Sequence, residues 1–205
     1  MIGIIYILVN EFMPNLVKIG ITERSVEQRI KEFDNTNTPV PFQCVFAAEV
    51  NDIVNVEKLI HTTFEDKRIR KNREFFRVSP HQVEAAIKLS QIREVTPKED
   101  VVNELSDKEA LKKYGNLEEG GNKWRFKDLR IPVNSILYFS KNNSITSIVE
   151  DANSNRIIFD GQKMSLSAAA LKVLKNIGYN WSSARGSDYW VYEGKTLTAR
   201  RLELV

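Results

Sequence analysis

Short apolar runs bounded by turn-forming residues open the chain. GIIYILV (Gly3–Val9) and LVKIGIT (Leu16–Thr22) are rich in β-branched residues, and NEFMPN with Pro14 and Asn15 separates them. Two such runs so close together predict an antiparallel hairpin. Ser25 then caps SVEQRIKEF, in which Val26, Arg29, Ile30 and Phe33 recur at spacings of three and four, the period of one helical face. NTNTPVP (Asn35–Pro41) breaks that helix, and FQCVFAAEV (Phe42–Val50) reads as a third strand. Asp52 is the expected cap of a second helix, DIVNVEKLIHTTFED, with Ile53, Val56, Leu59, Ile60 and Phe64 at helical spacing. Lys67–Arg73 forms a basic loop, Glu74–Val78 a short strand, and Pro80 stands at the start of a last helix, HQVEAAIKLSQ. The predicted order is β-β-α-β-α-β-α, a small α/β or α+β domain over residues 1–92 with a mainly antiparallel sheet.

Periodicity fades over residues 93–123, which are polar and mixed in charge and read as a linker with a short helix around Asp107–Tyr114. A second small α+β domain is expected over residues 124–205, beginning near Trp124. ILYFS, SITSIVE and RIIFDGQKMS are strand-like, and Asp160–Gly161 is a good hairpin turn. SLSAAALKVLKNIG predicts a helix capped by Ser165 or Ser167 and closed by Gly178. The segment YNWSSARGSDYWVYEGKTL returns to strands and turns rich in aromatic residues.

Composition narrows the class more than the function. With 205 residues, 42% hydrophobic and 28% charged, the chain suits a soluble globular protein of one large or two small domains. No apolar run approaches the ~20 residues that cross a bilayer. The N-terminal MIGIIYILVNEF lacks a basic leader and a small-residue cleavage site, so a buried strand is expected there rather than a signal peptide. The single cysteine, Cys44, excludes an internal disulfide and a cysteine-rich zinc site, and a cytoplasmic location is the default. The net charge of +3 is unevenly spread: residues 121–205 carry 13 Lys and Arg against 7 Asp and Glu. That excess suits contact with a polyanion, although many basic domains bind none.

Several polar residues fall where the pattern calls for apolar ones. Tyr6 lies in the first strand, and Lys18 interrupts the second between Val17 and Ile19. Arg29 shares a helix face with Val26, Ile30 and Phe33, His61 lies on the second long helix, and Glu74 follows the basic loop. Each has a plain reading. Tyr6 packs its ring and sends its hydroxyl to solvent, Lys18 snorkels from an edge, and Arg29 pairs with Glu32 or Glu57. Glu74 pairs with nearby arginines, and a lone helical histidine is structural. Brought together, they suit phosphodiester hydrolysis. A carboxylate holds a divalent metal that polarises a phosphoryl oxygen, arginine braces the developing charge, and tyrosine or lysine orients or deprotonates the attacking water.

Tyr6 in GIIYIL, KIG at Lys18–Gly20 and Arg29 nine positions on resemble the GIY-YIG nuclease fold. EKLIHTTFEDKRIRKNREFF (Glu57–Phe76) is similar to the phage-type branch of that superfamily, and the likeness covers roughly residues 3–90. The resemblance implies that Tyr6 is the first motif tyrosine, Arg29 the phosphate-bracing arginine and Glu74 the metal-binding glutamate. Lys18 stands in place of the second motif tyrosine, and His61 is a candidate fifth member. It implies Mg²⁺ or Mn²⁺ as cofactor. Two departures stand out: Phe33 occupies a place where many relatives have His or Tyr, and the late asparagine of several nuclease branches has no clear match in PHQVEAAIKLSQ. Arg68, Arg70, Lys71 and Arg73 of the basic loop are candidate DNA contacts.

IIFDGQKMSLSAAALKVL, YNW and EGKTLTARRL resemble the small restriction-associated domains called RAMA, over about residues 126–203. That likeness implies contact with DNA, modified DNA included. The helix start at Ser165–Ser167 offers backbone amides to a phosphate, and Arg185, Lys195, Arg200 and Arg201 supply positive charge without sequence choice. Trp181, Tyr189 and Trp190 stack on a base or pack the core, the core being favoured for at least two of the three.

The leading expectation is a metal-dependent DNA endonuclease of restriction, defence or mobile-element context. The alternative is a DNA-binding module that keeps the nuclease fold without its chemistry. A protein-interaction adaptor is a third reading. No membrane contact is expected. A homodimer is what concerted double-strand cutting by single-site subunits needs.

Overall fold

A computed structural model describes residues 1–10, 12–13, 15–33, 40–101 and 125–204. The chain is α+β and divides into two compact units, Met1–Leu111 and Lys112–Val205. The helix expected around Asp107–Tyr114 and the start expected near Trp124 lie outside the described residues.

In the first unit, β1 (Gly3–Val9) and β2 (Val17–Thr22) form the expected hairpin. They are followed by α1 (Val26–Phe33), β3 (Gln43–Val50), α2 (Ile53–Thr63), β4 (Phe75–Phe76), α3 (Pro80–Lys88) and β5 (Gln91–Glu94). The five strands make one antiparallel sheet in the order β4-β2-β1-β3-β5. β1 is central and covered on both faces, which is why its apolar run is nearly continuous. Ile5, Ile7 and Val9 join a core with Ile53, Val56 and Ile60 of α2 and Val83 and Ile87 of α3. Tyr6 and Leu8 face the other way, toward Val26 and Ile30 of α1.

Three local expectations need correcting. β5 takes the place of the end of the helix expected to run to Gln91 and of the first residues of the expected linker, the helix stopping at Lys88. Three of the four strand residues are exposed on a sheet edge, so burial leaves little pattern there. The fold continues past Glu94, with the Val95 amide donating to the Ala47 carbonyl and the Thr96 hydroxyl accepting from the Ala47 amide. Asp52 precedes α2 in a left-handed conformation (φ 49°) and its side chain caps nothing. Ser25 does accept from the Gln28 amide at 3.2 Å.

In the second unit, β6 (Ile136–Phe139), β7 (Asn142–Val149), β8 (Arg156–Phe159), β9 (Gln162–Ser165), β10 (Trp190–Tyr192) and β11 (Lys195–Thr196) form an antiparallel sheet. Its order is β11-β10-β6-β7-β8-β9. Asp160 and Gly161 turn the β8–β9 hairpin, both at positive φ. α4 (Leu166–Asn176) is capped by Ser165, whose hydroxyl accepts from the Ala168 amide. A final helix, α5 (Leu197–Leu204), follows β11 and begins at the last residue of the segment expected as strands and turns. Ala169, Ala170, Val173 and Leu174 of α4 pack with Leu137, Phe139, Trp181, Tyr189 and Trp190 in one core.

Candidate functional site

Strand register decides which side chains meet. Tyr6 pairs with Gly20 and Leu8 with Lys18 across β1–β2, so Tyr6 and Lys18 project from the same face of the sheet. α1 lies on that face, with Val26 and Ile30 inward. Arg29, one position before Ile30, reaches back over the sheet, and its Nε donates to the Tyr6 hydroxyl at 3.4 Å. A two-residue β4 lies beside β2, with Lys18 opposite Phe75. Glu74, just before it, accepts the Ile19 amide on its backbone carbonyl at 3.0 Å. The short strand therefore places the Glu74 carboxylate beside Lys18, and the two side chains are hydrogen-bonded as an ion pair.

That pair explains how a lysine sits inside an apolar strand. Only 9% of the Lys18 side chain is exposed, against 42% for Glu74. An ammonium so enclosed is tolerable only when paired. Aromatic faces complete the enclosure: Lys18 Nζ lies 4.8 Å from the Phe33 ring centroid and 5.6 Å from that of Phe75. Arg29 Cζ lies 4.5 Å from the same Phe33 ring. Phe33 thus serves both cations at once. It meets Phe42 edge-on, and Phe42 in turn contacts Phe75. Arg29 also pairs with Glu32 at 2.6 Å, as one of the plain readings expected.

The electrostatics follow from burial. Tyr6 is 1% exposed, and burial raises its phenol above the ordinary value. The Arg29 hydrogen bond and charge oppose that rise, while the charges of Glu74 and Glu57 add to it. The phenol is therefore neutral and well placed to hydrogen-bond. Burial pushes His61 below the usual histidine range, which its contact with the Ile19 carbonyl opposes. The neutral imidazole donates from Nε2 to that carbonyl at 3.1 Å, and its ring packs 5.0 Å from Phe76. Beyond β4 the edge of β2 has no further strand in the sheet order, and His61 supplies a donor there.

The pattern of the sequence did not single out Glu57. It lies half-buried on α2, four residues before His61, and its carboxyl is raised by burial first and by the Glu74 charge second. Lys18 and Arg68 act in the opposite sense. Glu57 makes no hydrogen bond or ion pair among the described residues. Its spacing from His61 is the signal that could have found it, since residues four apart share a helix face.

The basic loop divides into a brace and a rim. Arg68 is 13% exposed, pairs with Glu65 at 2.7 Å, donates from Nη1 to the carbonyls of Lys71 and Arg73, and stacks over Phe76 at 4.8 Å. It holds the loop together. Arg70, Lys71 and Arg73 are exposed. Among the described residues, no group of three or more His, Cys, Asp or Glu is arranged to hold a metal ion.

In the second unit most of the nominated cations are engaged. Arg185 pairs with the buried Asp188 at 2.8 Å, and Lys195 with Glu203 at 2.7 Å. Arg200 donates to the Leu129 carbonyl and pairs with Glu193 at 2.9 Å. Arg201 is half-buried. Trp181, Tyr189 and Trp190 are all in the core, at 2%, 5% and 0% exposure. The Ser167 hydroxyl accepts from the Gly186 amide at 3.2 Å.

Residues 3–91 match the family model described as the T5orf172 domain. No curated protein and no solved structure matches the chain. No helix among the described residues is long and apolar enough to cross a membrane.

Proposed function

We propose that the T5orf172 region is a metal-dependent DNA endonuclease of the GIY-YIG type, hydrolysing phosphodiester bonds. The convergence of the Tyr6 phenol, the Arg29 guanidinium and the Lys18–Glu74 pair on one face of one sheet carries the reading. Arg29 faces the developing charge on a bound phosphate, and the Tyr6 hydroxyl, fixed by Arg29, orients the attacking water. Lys18 supplies a second positive charge at the same phosphate. Glu74 is the residue that would hold Mg²⁺ or Mn²⁺. One partly exposed carboxylate fits a cation that keeps most of its waters and takes its other oxygens from phosphate. The chemistry such a cation would supply if held by Glu74 is polarisation of a phosphoryl oxygen and stabilisation of the leaving oxygen. Arg70, Lys71 and Arg73 track the DNA backbone, and the basic RAMA-like unit retains the duplex, modified duplexes included. A cytoplasmic setting in restriction, defence or mobile-element biology suits the reading.

A binding-only module is the second reading. The observation that favours it is the closed Lys18–Glu74 pair, which leaves both residues satisfied without a metal.

Purified protein incubated with plasmid and Mg²⁺ or Mn²⁺ separates the two. Nicking or linearisation that is lost in Glu74→Ala and Arg29→Ala supports the nuclease. Intact DNA with wild type and variants alike, together with retention that weakens steeply with salt, supports the binding module.

A further inference from the structure

Two arginines of the first unit share one carboxylate. Glu32, in the last turn of α1, meets Arg24 Nη2 through Oε1 at 2.8 Å and Arg29 Nη1 through Oε2 at 2.6 Å. The same Arg29 guanidinium donates from Nε to the Tyr6 hydroxyl at 3.4 Å, and Phe33 packs its ring against it. Glu32 therefore holds an anionic oxygen one guanidinium away from the phenol of the candidate site. Arg24 reaches that carboxylate from the turn before α1, where its amide donates to the Thr22 hydroxyl at 3.1 Å.

Two oxygens of one anion, each taken by its own guanidinium, is also how arginines hold the non-bridging oxygens of a phosphate. The arrangement is open to solvent: the side chains of Arg24, Arg29 and Glu32 are 64%, 35% and 38% exposed. Ion pairs so exposed are weak, so Glu32 yields to an anion that brings more with it. A phosphate of DNA does, because the strand that carries it releases counterions wherever else it meets the protein. Glu23 and Glu27, the other acids of this stretch, are exposed and form an ion pair with neither arginine.

We propose that Arg24 is a DNA-phosphate contact that forms a clamp with Arg29, and that Glu32 occupies the clamp as a built-in competitor until a backbone phosphate takes its place. The inference rests on the reading in which Arg29 faces a phosphate of DNA. It adds a second arm, Arg24, which the sequence pattern did not nominate, and a restraint, Glu32, that DNA must displace.

Binding of a labelled DNA duplex to the full chain in EDTA, followed by fluorescence anisotropy over a salt series, tests this apart from cleavage. Arg24→Gln weakens binding roughly tenfold at about 0.1 M salt and makes the log–log salt dependence shallower by about one, the loss of one phosphate contact. Arg24→Lys recovers most of that slope. Glu32→Gln tightens binding, and by clearly more than Glu27→Gln, which removes the same charge from the same helix without freeing an arginine. In an Arg24→Gln background that excess shrinks, because the two residues act on one seat. Urea midpoints of these surface variants stay near that of wild type. Wild-type affinity and slope in Arg24→Gln, or equal gains from Glu32→Gln and Glu27→Gln, overturn the inference; plasmid cleavage that still depends on Glu74 then leaves the nuclease reading standing. A wild-type chain that neither retains nor cuts DNA overturns the nuclease reading, and this inference with it.

Discussion

The phenol of Tyr6 lies against the backbone of Gly20, its direct partner across β1–β2, so closely that a Cβ at position 20 would stand 2.6 Å from the hydroxyl oxygen. The ring carbon bearing that oxygen would be 2.9 Å away. Glycine is needed here for closeness of approach, and the space it leaves lets a buried tyrosine extend to Arg29. Gly20→Ala therefore pushes the ring tip off its hydrogen bond. We expect about 1–3 kcal/mol of lost stability from overpacking. Cleavage falls by about tenfold or more, because small misplacements of a positioning group are costly. Urea denaturation and plasmid cleavage read the two effects, and cleavage at the wild-type rate would show that the phenol's position is immaterial.

Phe33 occupies a place where the nuclease resemblance sets a polar residue, and the structure supplies a reason for an aromatic one. Its ring contacts Arg29 at 4.5 Å and Lys18 at 4.8 Å. Phe33→Leu keeps much of the apolar volume and loses both cation–π contacts, for an expected loss of about 1–2 kcal/mol. Phe33→Tyr retains the ring face and keeps most of that stability. Equal denaturation midpoints for the two variants would remove the ring's electrons from the account.

How much of this was legible beforehand depends on which property of the chain positions each group. Tyr6 and Lys18 stand out in the sequence as polar residues within apolar strand runs, and the hairpin register is what puts them on one face. Arg29 followed from helical spacing against Val26 and Ile30. Glu57 was hidden: its half-buried place depends on how α2 settles on the sheet through Ile53, Val56 and Ile60, which no local pattern encodes. Arg68 looked like every other cation in KRIRKNR, and only the folded loop distinguishes the one that binds the carbonyls of Lys71 and Arg73. The same limit applies to Arg185 and Arg200, whose partners Asp188 and Glu193 are close in sequence but carried no signal that they would engage them.

His61 makes stability depend on pH in a definite direction. Burial lowers its pKa below the ordinary 6.5, outweighing the Ile19 carbonyl contact; the Arg68 charge also lowers it, while Glu74 and Glu65 raise it. A histidine held neutral in the fold binds its proton more weakly than in the unfolded chain. Its contribution is complete above the unfolded value of about 6.5 and is lost as pH falls from there through the folded value. His61→Gln cannot titrate, and its amide retains a donor for the Ile19 carbonyl. Between pH 7.5 and 5.5, about one unit either side of the ordinary histidine value, the wild-type urea midpoint should fall more than that of His61→Gln. Parallel midpoints would mean that the imidazole does not titrate differently in the fold.

The second unit offers a test independent of any chemistry. Gly186 sits against the start of α4, where an added Cβ would meet the Leu166 carbonyl carbon at 2.2 Å and the Ser167 nitrogen at 2.4 Å. Both contacts are backbone, so no side chain can move aside. The Gly186 amide also donates to the Ser167 hydroxyl, and Trp190 Nε1 donates to the Leu166 carbonyl. One methyl group therefore presses on the helix start that these bonds hold to the aromatic core. Gly186→Ala should cost about 3 kcal/mol or more, at or beyond the upper end for overpacking. Trp181 and Trp190 lie in that core, so near-ultraviolet circular dichroism should lose intensity at temperatures where the wild type keeps it. A variant that melts with the wild type would place the α4 start farther from residue 186 than these contacts allow.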